Sequence, residues 1–137
     1  MFPLQGKRIF CIEDDPRNRA IAQMILEQAG ATVGFERWGR DETLTKLKAF
    51  APVDIILLDL MFPGGISGYA IFDSIRSDAQ FADVPIVAVS ASDPAIEIPK
   101  ARRKGFSGFI SKPIDLRLFP QQVQAFIAGE SLGWHIG

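Results

Sequence analysis

Five short runs of apolar or β-branched residues, RIFCI (8–12), TVGFE (32–36), DIILLD (54–59), PIVAVS (85–90) and GFI (108–110), alternate with longer segments whose apolar residues recur at helical spacing. The third and fourth runs are apolar at nearly every position, as expected of central strands covered on both faces. After the first run, Asp15 is placed to cap a helix with Pro16 at its first position, Ala20, Ile21, Met24, Ile25 and Ala29 on the inward face, and Gly30 as its stop. A second helix is expected over 41–50 with Leu44, Leu47 and Phe50 inward, and a third over 68–77 with Ile71, Phe72 and Ile75 inward. The fourth, 94–104, has Pro99 in its middle, which should kink or shorten it at a cost of about 3 kcal/mol. The fifth, 117–128, presents Leu118, Val123, Phe126 and Ile127 inward, with Pro120 delaying its start.

Strands that alternate with helices pair in parallel, and their crossovers are right-handed. The predicted fold is therefore α/β: an open, doubly wound, five-stranded parallel sheet of order 2-1-3-4-5 with helices on both faces. We read residues 1–137 as a single domain with its core at about 6–128, a short tail over 129–137 and no output domain in the chain.

Composition narrows the function. With 47% hydrophobic and 23% charged residues the 137-residue chain has the balance of a soluble protein with a substantial core. The longest apolar runs are far too short to span a bilayer and the N-terminus lacks a signal peptide's layout, so a cytoplasmic protein is expected, with no membrane association. The 15 basic residues against 16 acidic ones give no global reason to bind nucleic acid, and the one basic cluster, KARRK at 100–104, reads as a solvated helix face. The single cysteine, Cys11, excludes an internal disulfide and reads as a small buried apolar residue.

The candidate chemistry lies where the strands end. In such a sheet, functional groups gather at the carboxyl ends of the strands, around the point where strand order reverses. Glu13, Asp14 and Asp15 follow strand 1, Asp59 ends strand 3, Ser90 ends strand 4 and Lys112 follows strand 5. Packed carboxylates repel unless something positive sits among them. A cluster of this kind suits a hard divalent cation, and Mg²⁺ prefers one or two carboxylates plus waters and phosphate oxygens. Lys112 adds a second positive charge, and the only histidine, His135, lies too close to the C-terminus to compete as a ligand.

Four segments in order, IEDDPRNR (12–19), DIILLDLMFPGG (54–65), VAVSAS (87–92) and GFISKPID (108–115), resemble the receiver domains of response regulators, the phosphoacceptor half of two-component signalling. The resemblance covers about residues 6–128 and implies the flavodoxin-like fold of that family. It implies Asp59 as the phosphorylation site. Asp14, Asp59, Glu13 (mostly through water) and the backbone carbonyl of Met61 would hold Mg²⁺. Ser90, Ala91, Phe109, Lys112 and Pro113 would bind the phosphoryl group or switch with it, Pro113 in a cis peptide that aims Lys112 inward. The implied partners are a histidine kinase or phosphotransfer protein and an unidentified downstream protein, with a homodimer through helix 4, strand 5 and helix 5 as a further family expectation. The protein would be no enzyme towards external substrates, catalysing only its own phosphorylation and slow dephosphorylation.

The sequence departs from the family pattern in the loop after Asp59, at Phe109, and at Pro99, which stands in a helix of the family's usual output face. Gly68 comes nine positions after Asp59, one later than usual, with Ser67 where Asp is common, so a bulge absorbed by Gly64 and Gly65 is expected. Phe109 replaces a common Tyr and has no hydroxyl to donate, so its switching should rest on packing. Met61 and Ser92, which flank the path of hydrolytic water, are neither acids nor amides that orient attack, so a long-lived phosphoryl group is expected. Two other functions stay open: a degenerate receiver acting as a constitutive interaction module, and an aspartyl-nucleophile phosphohydrolase, which typically needs a second Asp where Met61 stands.

Overall fold

Burial at every position of Ile55–Asp59 and Ile86–Ser90 follows from their place in the middle of the sheet, with neighbours on both edges and helices on both faces. The computed structural model describes residues 2–37 and 42–130. Within them the elements run β1 (Arg8–Ile12), α1 (Pro16–Gln28), β2 (Thr32–Glu36), α2 (Glu42–Phe50), β3 (Ile55–Asp59), α3 (Gly68–Arg76), β4 (Ile86–Ser90), α4 (Pro94–Lys104), β5 (Gly108–Ser111) and α5 (Phe119–Ile127). The strands pair in parallel in the order β2-β1-β3-β4-β5, as the alternation of runs predicts. His135, the tail beyond Glu130 and the expected first residue of the second helix, Asp41, lie outside the described residues.

Alternation along the strands divides the core in two. Phe10, Ile12, Ile56, Leu58 and Ala88 face the layer that holds Leu47 and Phe72, while Ile9, Cys11, Leu57 and Val87 face the layer that holds Leu26 and Val123. Cys11 sits in the second layer, and its burial pushes the thiol pKa up, away from thiolate reactivity. No helix among the described residues is long and apolar enough to cross a membrane.

Three expectations about helices are corrected. The face of α1 turned inward carries Ala22, Ile25 and Leu26, followed by Ala29, while Ile21 and Met24 are 40% and 52% exposed and Ala20 is exposed as well. Both stripes share Ile25 and Ala29, so periodicity alone does not choose between them. Docking on the sheet chooses the one that buries Leu26 completely. In α5, Leu118 is the N-cap and 49% exposed, and the inward position belongs to Phe119 at 1%. That helix starts at Phe119 with Pro120 in its first turn, in line with the delay expected of the proline.

The third correction is α4, which runs unbroken through Pro99. Pro99 is exposed, as is Ala95, whose carbonyl is the one deprived of an N–H partner, while Ile98 and Ala101 anchor the buried side. Asp93 caps its start by accepting from the Ala95 N–H at 3.0 Å, and Gly105 ends it in the left-handed region at φ 109°. Its basic stretch is a solvated face, with Lys100, Arg102 and Arg103 exposed.

Candidate functional site

Each strand end delivers its residue for a local reason. Asp59 is the last residue of β3 and is only 8% exposed, because β1 and β4 flank it. Glu13 extends the pairing of β1 with β2 by one hydrogen bond, its N–H donating to the Glu36 carbonyl at 3.0 Å, and the chain then bends at Asp14. Asp15 takes the N-cap of α1, accepting from the Arg17 N–H at 2.8 Å, which leaves Glu13 and Asp14 for the site. Lys112 follows β5; its N–H donates to the Ser90 carbonyl at 2.9 Å, and its peptide bond to Pro113 is cis, as is that between Ala51 and Pro52.

The side chains converge. Lys112 Nζ donates to Glu13 Oε1 at 2.6 Å and to Asp59 Oδ2 at 3.1 Å. The other oxygen of Asp59 accepts from the Met61 N–H at 3.2 Å, and Glu13 Oε2 accepts from the Asp15 N–H at 3.3 Å. Oxygens of Glu13, Asp14 and Asp59 lie within 4.8 Å of one another. Three carboxylates facing one ammonium leave an excess of negative charge in a poorly hydrated place. That donor set, all oxygen with one ammonium against three carboxylates, fits a hard divalent cation such as Mg²⁺.

The ionisation pattern carries the same imbalance. Burial, reinforced by the neighbouring Glu13, pushes the Asp59 carboxyl up to about 6, against the pull of Lys112. Burial and Glu13 push Asp14 upward as well. Burial would raise Glu13 too, but its hydrogen bonds with Asp59 and Lys112 prevail and hold it below the usual carboxylate range. Lys112 loses some preference for charge through burial and regains more from the two carboxylates, so its pKa is raised and it stays an ammonium.

Beside the acids opens a cleft of about 340 Å³ lined by Asp59, Met61, Ser90, Ala91, Ser92 and Lys112. Ser90 is buried, and its Oγ accepts from the Ser92 N–H at 3.0 Å. The Met61 side chain is exposed and touches Ser92, with Sδ 3.4 Å from Oγ, so two residues of the cleft lining are in contact. Phe109 is packed into the core at 3% exposure on the layer that holds Phe72.

The loop after Asp59 turns at the two glycines expected to bulge, Gly64 and Gly65. Pro63–Gly65 forms a short 3-10 turn in which Gly64 and Gly65 both take φ 76°, a conformation that disfavours a side chain. A bridge between Met61 and Ser67 then closes the loop, and Ser67 caps α3 by accepting from the Tyr69 N–H at 3.1 Å. Gly68 packs so closely on the end of β3 that a Cβ there would stand 2.3 Å from the Asp59 carbonyl oxygen.

Two contacts around the site were not anticipated. Arg19 Nη1 donates to the main-chain carbonyls of Glu13 and Asp14, at 2.8 and 2.9 Å. Tyr69 donates its hydroxyl to Glu97 at 2.7 Å, joining α3 to α4. Arg19 lies inside the IEDDPRNR segment, so its position on the first turn of the helix was a usable signal.

A family model described as the response regulator receiver domain matches residues 9–124. The sensor histidine kinase GacS of Pseudomonas protegens is 31% identical over 124 residues, which are 87% of this chain and 13% of that kinase, so the chain spans about an eighth of its length. Protein PilH of Pseudomonas aeruginosa is 25% identical over 122 residues, covering 89% of this chain and 98% of PilH. The crystal structure of a sensor protein from Polaromonas sp. JS666 superposes with a TM-score of 0.79 at 25% identity, over 90% of this chain and 97% of that one.

Proposed function

Because this chain belongs to the response regulator receiver domain family of two-component signalling, we propose that Asp59 is its phosphoacceptor and that a histidine kinase or phosphotransfer protein is the donor. The observation that carries the reading is the position of Lys112 Nζ, bonded to both Glu13 and Asp59 at the edge of an open cleft that Ser90 also lines.

In the proposed step an Asp59 carboxylate oxygen attacks the phosphorus of a phosphohistidine. The P–O bond forms as the P–N bond breaks, and the released pair stays on the imidazole nitrogen of the donor. Asp59 must be ionised to attack, and Lys112 favours that form. Mg²⁺, when held by Glu13, Asp14, Asp59 and the Met61 carbonyl, supplies positive charge to the phosphoryl oxygens. Lys112 then pairs with the new phosphoryl group, and Ser90, released from the Ser92 N–H, donates to it. That movement draws on the β4–α4 connection and frees the space into which Phe109 turns, so α4, β5 and α5 form the switched surface read by a downstream protein or a second copy. The uninterrupted α4 supports a defined surface there. The reading places the protein in the cytoplasm, where such kinases deliver their phosphoryl groups.

Loss of the phosphoryl group is slow in this reading, because neither Met61 nor Ser92 orients an attacking water. A decay time of seconds in Mg²⁺ buffer would contradict that. The central test is intact-mass analysis after incubation with acetyl phosphate, for wild type and Asp59→Asn, with Mg²⁺ and with chelator. The expected result is one phosphoryl adduct that requires both Asp59 and Mg²⁺. Absence of both adduct and Mg²⁺ binding would overturn the reading in favour of a constitutive interaction module.

A further inference from the structure

In a continuing β-strand the side chains of Glu13 and Asp14 would point to opposite faces of the sheet. Here their oxygens lie within 4.8 Å of each other and of Asp59, which requires the bend that the chain makes at Asp14. The atom that clasps this bend is Arg19 Nη1. It carries two N–H bonds and sends one to the carbonyl of Glu13 at 2.8 Å and the other to that of Asp14 at 2.9 Å. Its own backbone is fixed by the first turn of α1, where the Arg19 N–H donates to the Asp15 carbonyl at 3.0 Å. The clasp therefore joins a rigid helix to the two residues whose spacing the acidic cluster depends on.

The placement runs against the ordinary electrostatics of a helix. A cation in the first turn faces the positive end of the helix dipole and is disfavoured there. Arg19 is half-buried, and it lines the small cavity beneath Glu13 and Asp59. Two carbonyls on consecutive residues and the nearby excess of carboxylates offset the unfavourable dipole. A glutamine at this place is too short, and a lysine ends one atom sooner in a freely rotating ammonium without the fixed plane that aims both N–H bonds of the guanidinium nitrogen.

We propose that Arg19 is a positioning residue which, through the main chain of Glu13 and Asp14, sets the spacing of the acidic pair and so how tightly the site holds a divalent cation. The proposal rests on the reading of the Asp59 site given above. Arg19 touches neither cation nor phosphoryl group; it acts through the residues that do.

The test compares wild type, the unbranched and uncharged Arg19→Met, Arg19→Lys, and Ile25→Val as a control that loosens the buried face of the same helix. Mg²⁺ affinity is measured by calorimetric titration, and hydrogen exchange at the Glu13, Asp14 and Asp15 amides is followed in chelator. Arg19→Met should weaken Mg²⁺ binding about tenfold and speed exchange at those amides without metal, Arg19→Lys should fall between it and wild type, and Ile25→Val should change neither. Unchanged affinity in a folded Arg19→Met protein overturns the proposal and leaves the phosphoacceptor reading standing. If Arg19→Met does not fold, equal affinity in Arg19→Lys and wild type overturns it. Wild type that neither binds Mg²⁺ nor takes up a phosphoryl group overturns the phosphoacceptor reading and the cation part of this one. Exchange in chelator then decides by itself whether Arg19 holds the bend.

Discussion

The two ends of the sheet treat charge in opposite ways. At the amino end, Arg8 donates from Nε to the Pro52 carbonyl at 2.7 Å and from Nη2 to the Phe50 carbonyl at 2.6 Å, its backbone N–H reaches Asp54 at 2.8 Å, and its guanidinium lies 4.3 Å from the centre of the Phe50 ring. One cation there meets the last carbonyl of α2, where the helix dipole favours positive charge. At the carboxyl end, three carboxylates cluster around the ammonium of Lys112, which bonds two of them, and the buried Asp59 is pushed up to about 6. The amino end thus uses charge to hold the fold together. The carboxyl end keeps charges that the fold alone would be better without, which is how an unsaturated binding site differs from a structural one.

The comparison breaks most visibly if Arg8 proves dispensable. Arg8→Met removes two charged hydrogen bonds to carbonyls that the rest of the chain does not replace, and should lower stability by about 2 kcal/mol in urea unfolding. Its uptake of a phosphoryl group from acetyl phosphate should stay at the wild-type rate, because Arg8 lies at the other end of β1 from Glu13.

At the carboxyl end the sign reverses. The folded value of Asp59, about 6, lies above its ordinary 3.8, so the folded protein holds this proton more tightly than the unfolded chain does. The contribution of this group is complete below about pH 4 and is lost as pH rises through 6. Without metal at pH 7.5, Asp59→Asn should therefore raise stability by about 1–2 kcal/mol, a gain that disappears near pH 4. Urea unfolding of both proteins in chelator across that range is the check, and a destabilised Asp59→Asn at pH 7.5 would put the two ends of the sheet on the same footing.

An exposed pair sets the baseline. Lys104 Nζ lies 2.8 Å from Asp73 Oδ2, with the Asp73 side chain 63% exposed. Asp73→Asn should shift the urea midpoint by no more than about 0.5 kcal/mol in equivalent stability, and a few hundred millimolar salt should remove even that. A larger effect would mean that surface charge on α3 and α4 matters as much as the buried cluster.

Much of the fold was legible in the chain. Strands β1 and β2 have the bounds that the patterns RIFCI and TVGFE imply, and β3 and β4 differ by one residue at their starts. Pro16 and Gly30 punctuate α1 as expected because capping and positive φ are properties of single residues and their near neighbours. The acidic cluster, Asp59 and Lys112 were legible for a related reason, since a parallel sheet brings all its strand ends to one side. Less was legible where two local choices were equally good. Leu118 and Phe119 are adjacent apolar residues, and only docking on the sheet decides which one is buried.

Local chemistry, then, determined the order of the elements, the sheet topology that follows from it, and which carboxylates and which ammonium stand at strand ends. It did so because side-chain period, turn residues and chain connectivity act over a few residues at a time. The face that α1 turns inward, the tolerance of α4 for Pro99, and the grip of Arg19 on the Glu13 and Asp14 carbonyls were decided only by tertiary structure. So was the bond between Lys112 and Glu13, which joins residues 99 apart in the chain. Such contacts depend on how rigid elements come to rest against one another, and neither hydrophobic period nor residue type records that distance or that angle.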